Sequence, residues 1–198
     1  MTLEVVLPRG SKADAQAAIR AKLNWIALEH EKMVGTRRVL DSDQVMFGGS
    51  TFKITFAESV QEELVPDLAA CEVLIRASDR RRVTELVRRW FLKETSAYVV
   101  KKVSELAPLL RVRPSCVDVR EIVKWGYCTR SGRLSFSWQL AALPEALREY
   151  VIMHELTHLT EFNHSPAFKR KLAAVCPDFR LREKELDRIL PYDRTTVA

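Results

Sequence analysis

Histidine is scarce in this chain: there are four among 198 residues, and three of them fall between His154 and His164. Glycine (6) and proline (8) are also few, which excludes collagen-like and low-complexity chains. The hydrophobic content of 47% excludes a wholly disordered one. Cys71, Cys116, Cys128 and Cys176 form no Cys-x-x-Cys pair. That spacing excludes a zinc ribbon, and a disulfide scaffold is not expected at this length. The thiols read as reduced and buried, in keeping with a cytoplasmic protein. Long hydrophobic runs are missing as well. Those around Val5 and Val99 fall far short of the roughly 20 residues that cross a bilayer, and Met1 to Arg9 lacks the apolar stretch of a secretory signal. No membrane association is expected.

What is present is the balance of a globular protein, with 29% charged residues and a net charge of +6. A chain of this size buries a core without needing a disulfide or a metal to fold. Basic residues cluster at Arg80 to Arg82, Arg88 and Arg89, Lys101 and Lys102, and Lys169 to Lys171. Such clusters can attract nucleic acid. Acidic residues are interleaved through most of these stretches, so solvated helix faces are the preferred reading.

Apolar periodicity predicts a helix over about Ala13 to Met33, ended by Gly35. A β-rich region follows. Arg37 to Leu40 and Val45 to Phe47 flank a turn at Asp41 to Asp43, Gly48-Gly49 offers a second turn, and Phe52, Ile54 and Phe56 alternate with polar residues. Cys71 to Arg76 reads as another strand. Ser78 is positioned to cap a long helix from about Asp79 to Leu106, with Val83, Leu86, Val87, Trp90, Phe91, Tyr98 and Val99 as its core face and Pro108 as its end. Val117 to Trp125 and Leu134 to Trp138 suggest an antiparallel hairpin, Pro144 opens a further helix, and Leu181 to Leu190 reads as an amphipathic helix before a loose tail from Tyr192 to Ala198. The division expected is an N-terminal helix plus β-rich region over 1–76 and a catalytic part over 77–198, packed as one unit.

His154, Glu155 and His158 form His-Glu-x-x-His. On a helix, positions i and i+4 lie about 40° apart around the axis and roughly 6 Å along it, so two imidazoles reach one ion from one face. Glu155 then stands beside the ion without being a ligand. A catalytic zinc site usually has three protein ligands and an open position. His164 completes the set if the helix breaks before it, and the sequence supplies a break: Asn163 tolerates a left-handed backbone, Ser165 is a good cap and Pro166 suits a first turn. The frame of Val151, Ile152, Leu156, Leu159 and Phe162 makes the helix partly buried. The spacing from His158 to His164 matches the metzincin signature, but Glu161 stands at its glycine position and no methionine follows Met153, so a Met-turn is excluded.

The segments Trp125-Gly126-Tyr127-Cys128, Leu134 to Trp138, Pro144, Tyr150 to Leu159 and Asn163-His164-Ser165 with Phe168 resemble the YgjP-like metallopeptidase family, relatives of the SprT-like zincins. The likeness extends more weakly upstream to about Arg37. It departs at Tyr127, where the family has serine, and at Lys169, where it has tryptophan. The resemblance implies an α+β, zincin-like domain with a small antiparallel sheet and an active-site helix, one Zn2+ per chain held by His154, His158 and His164, and Glu155 as the catalytic glutamate. The expected activity is hydrolysis of peptide bonds in a polypeptide substrate by a Glu-assisted, zinc-bound water. Leu134 to Trp138 is the expected edge strand for an extended substrate. Tyr127 is weighed as an oxyanion stabiliser against a place in the core or rim, the latter being preferred. The alternative is a nucleic-acid-associated metalloprotein, or a SprT-like protease acting on DNA-bound proteins.

Overall fold

The computed structural model describes residues 37–190. The helix expected over Ala13 to Met33 and the tail from Tyr192 lie outside these residues. Among them the fold is α+β. β2 (Gln44–Phe47) and β3 (Ser50–Glu58) form an antiparallel hairpin. Its two turn residues, Gly48 and Gly49, have φ of 59° and 89°, the left-handed pair that a two-residue turn joining twisted strands requires. β5 (Glu72–Ala77) runs parallel to β3, and β4 (Glu63–Asp67) lies antiparallel at the edge beyond it. β4 has no counterpart in the sequence reading. Pro66 lies within it, a residue that sheets admit at edges because it donates no ladder bond.

Helix α1 (Val83–Leu110) buries Val83, Leu86, Val87, Phe91 and Val99 of the expected face, with Trp90 and Tyr98 half-buried, and buries Val103 as well. Its start and end differ from expectation. Asp79, not Ser78, accepts the backbone N–H of Arg81 and caps a short 3-10 turn over Arg80–Arg82. The helix runs through Pro108, which cannot bond the carbonyl four residues before it, and closes soon after, where Arg111 turns left-handed at φ 54°. Trp90 stacks on Phe47 of β2 with centroids 4.5 Å apart, so sheet and helix share one core.

The second sheet corrects an expectation. Residues 117–125 and 134–138 do not form an antiparallel hairpin. β6 (Cys116–Arg120) runs parallel to β8 (Arg133–Ser137), and the antiparallel neighbour of β8 is β7 (Gly126–Cys128), giving the order β6-β8-β7. Apolar alternation registers which face of a strand is buried but carries no strand direction. After β8, a 3-10 segment over Trp138–Ala142 leads to α2 (Glu145–His158), α3 (Pro166–Val175) and α4 (Phe179–Leu186). The last helix is shorter than expected, because Ile189–Leu190 forms strand β9, parallel to β1 (Arg37–Arg38).

Two contacts set the entry to α2. The N–H groups of Gly48 and Gly49 donate to the carbonyls of Ala141 and Ala142, both at 2.8 Å. Buried Thr95 of α1 donates to the Trp138 carbonyl at 2.7 Å and accepts the Ala141 N–H at 3.1 Å. No described cysteine is in a disulfide. The expectation of burial holds for Cys176; Cys116 and Cys128 are half-buried, and Cys71 is exposed at a left-handed turn residue. No helix among the described residues is long and apolar enough to cross a membrane.

Candidate active site

Helix α2 is anchored by buried Leu147, Tyr150, Val151, Ile152 and Leu156. Its remaining face carries His154 and His158 one turn apart, with Nε2 atoms 3.2 Å from each other. The helix stops at His158. The chain turns over Leu159–Asn163 and starts α3, where the Ser165 hydroxyl accepts the Phe168 N–H at 3.2 Å. The expected cap and first-turn proline are therefore in place. Asn163, however, is not left-handed; among the described residues the positive-φ ones other than glycine are Cys71 and Arg111. The turn carries bonds from Glu161 N–H to the Thr157 carbonyl and from Ser165 N–H to the Asn163 carbonyl, and His164 Nε2 lies 2.9 Å from His154 Nε2.

The three imidazoles fit a metal ion. One nitrogen of each lies within 4.8 Å of the others. Tetrahedral ligand nitrogens with bonds of 2.0–2.1 Å stand about 3.3 Å apart, close to the spacings found. Tautomer chemistry agrees. His158 Nδ1–H donates to the Glu161 carbonyl at 2.9 Å, which leaves its Nε2 lone pair facing inward. The Tyr150 hydroxyl is 3.4 Å from His154 Nδ1. Burial pushes His154 down to about 3, with the neighbouring His158 and His164 adding to the shift. Burial also lowers His158, against its bond to the Glu161 carbonyl. Burial thus favours the uncharged form of His154 and His158, the form in which imidazole binds a metal ion.

Phe168, 1% exposed, lies against all three rings, with centroids 5.0, 4.6 and 4.9 Å from those of His154, His158 and His164. Glu155 is 6% exposed. Burial pushes its carboxyl up to about 8, partly offset by the positive Lys124. It lies under β7, in contact with Gly126. Trp125, Gly126, Tyr150, Val151, His154, Glu155 and Leu186 line a cavity of about 190 Å³ beside it.

Sheet position corrects one further expectation, the edge strand, and bears on the place of Tyr127. β8 is the central strand, hydrogen-bonded on both sides, so the free edge beside the site belongs to β7. Trp125 accepts from Ser137 N and Thr129 N donates to Arg133. The backbone groups of Trp125, Tyr127 and Thr129 thus face β8, and those of Gly126 and Cys128 face outward. Side chains alternate too. Gly126 faces Glu155, which turns the Tyr127 side chain to the opposite side of the sheet and away from the role of oxyanion stabiliser. Residue spacing alone gives Gly126, Tyr150 and Phe168 no role at the site. For Tyr150 the signal was its place four residues before His154.

The basic clusters are largely engaged. Arg81 pairs with Asp79, Arg82 and Arg89 with Glu62, Arg88 with Glu85, Lys102 with Glu149, and Lys171 with Glu161.

The model of the YgjP-like metallopeptidase domain matches residues 1–189. No curated protein matches the chain. Among solved structures, the metallopeptidase zymogen of Pyrococcus abyssi abylysin is similar at 24% identity and a TM-score of 0.40, over 44% of this chain and 88% of that one. The family match spans nearly the whole sequence and includes the three converging histidines and the buried glutamate: the chain belongs to the YgjP-like metallopeptidase family.

Proposed function

We propose that this metallopeptidase is zinc-dependent, with His154, His158 and His164 holding the ion and Glu155 acting as general base. The observation that carries the reading is the convergence of three imidazoles, one nitrogen of each within 4.8 Å of the others, beside the buried side chain of Glu155. Three histidines with an open position are a zinc-type donor set. When bound, the ion would polarise a peptide carbonyl and acidify a water molecule. The charge of the ion would also favour the ionised form of Glu155 over the protonated form that burial favours. That carboxylate takes the proton of the attacking water and passes it to the nitrogen of the leaving amine. The His158 bond to the Glu161 carbonyl and the Tyr150 hydroxyl near His154 hold those two rings in orientation.

An extended polypeptide would pair with the outward N–H and C=O groups of Gly126 and Cys128 on β7, the strand nearest Glu155, and place a side chain in the cavity between Trp125 and Leu186. Protein purified without chelators should carry about one zinc per chain by elemental analysis. Less than half an equivalent, not restored by added zinc, overturns the metal reading. Glu155→Gln should retain the metal and lose cleavage of a proteome-derived peptide library; retained cleavage removes Glu155 from its role. The same library reads out the substrate preference. The nucleic-acid reading draws little from the structure, since Arg81, Arg82, Arg88 and Arg89 each have an acidic partner. Steep salt-dependent DNA binding would revive it.

A further inference from the structure

Glycine at 126 has no backbone reason to be there. Its φ is not among the positive ones, which belong to Gly48, Gly49 and Gly132, so its conformation suits any residue. It also sits inside β7, where glycine weakens a strand by leaving nothing to pack. What the position lacks is space. A Cβ on Gly126 would stand 2.8 Å from Glu155 Cγ, 3.1 Å from Oε1 and 3.2 Å from Cδ, well inside the 3.5–4.0 Å of ordinary carbon contact.

Both backbones are held close to this position: β7 is bonded to β8 through Trp125 and Thr129, on either side of Gly126, and α2 is held on its other faces by Leu147, Ile152 and Leu156, each 0% exposed. The glutamate side chain would have to move, and its own burial leaves it few alternatives. We infer that Gly126 is a positioning residue: the missing side chain sets how closely β7 approaches α2 and so where the Glu155 carboxylate stands. The consequence for catalysis rests on the general-base reading of Glu155. A methyl group at 126 displaces that carboxylate by something on the order of 1 Å, a misplacement that can cost about 100-fold in rate.

A double-variant cycle on the metal-free protein tests the contact without requiring activity. Gly126→Ala should lower the Tm by about 5 °C in the wild-type background and leave it unchanged or raised in the Glu155→Ala background. Equal losses in both backgrounds overturn the inference. If Gly126→Ala does not fold, recovery in the Glu155→Ala background supports it and failure in both overturns it. In the metal-loaded enzyme, Gly126→Ala should lower kcat about 100-fold while KM and zinc affinity stay within about twofold. Unchanged kcat, or loss of zinc in step with kcat, also overturns it. Should the wild type cleave nothing when fully loaded, the general-base reading fails, and the stability cycle still decides whether Gly126 places Glu155.

Discussion

Phe168 touches each of the three converging imidazoles with the face or edge of a single ring. Two of those imidazoles ride on α2 and the third follows a turn, so their rotamers have no common scaffold except this side chain. Phe168 belongs to α3, whose first turn is capped by Ser165, and its ring thereby ties the third histidine to the first two. Replacing it by leucine keeps an apolar side chain of similar bulk but removes the flat surface. Phe168→Leu should fold and bind zinc about tenfold more weakly, as loss of a group that orients ligands typically does. Competition against a chromophoric chelator measures this; unchanged affinity would show that the ring merely fills space.

At the scale of elements, the active-site helix is placed by what comes before it. The β2–β3 hairpin tip donates two backbone bonds to the segment that leads into α2, and Gly49 packs against Pro144 at that helix's start. A Cβ at Gly49 would stand 2.6 Å from Pro144 Cγ, at a φ of 89° that side chains rarely adopt. Both penalties act together, so Gly49→Ala should cost about 2 kcal/mol or more of stability by denaturant titration. A cost near zero would mean that the hairpin tip is not seated on the helix entry.

At the scale of the molecule, net positive charge coexists with carboxylates held below their ordinary range. Hydrogen bonds from Arg82 and Arg89 lower Glu62, the Arg81 side chain lowers Asp79, and Arg88 lowers Glu85. Burial pushes Asp118 up, but Ser135, Arg120 and Arg133 together outweigh it and hold it low. A carboxyl whose folded value is depressed stabilises the fold above its unfolded value, about 4, and that contribution is lost as pH falls through the folded value. The Tm of the metal-free protein should therefore fall progressively below about pH 5. The drop should shrink in Glu62→Gln, which removes the shared partner of Arg82 and Arg89. An identical acid profile in that variant would show that these exposed pairs contribute nothing measurable.

The local parts of this protein were legible in its residues. His154, Glu155 and His158 are placed by the helical repeat alone, and the cap at Ser165 and the proline at 166 announce a second helix, because these are short-range rules of backbone geometry. The apolar face of α1 is read in the same way. Strand alternation marked β3 and β8 but not which partners they take. That β6 pairs parallel with β8, and that the edge beside the site is β7, are decided by how the chain crosses over, which no local pattern records. Gly126 and Glu155 are distant in sequence, and the reason for glycine at 126 exists only once β7 lies against α2. The same holds for one phenylalanine ring meeting three histidines. Residue types and spacing determined the chemistry available to this chain; close packing in three dimensions decided which groups meet, at what distance, and which position must stay empty for them to do so.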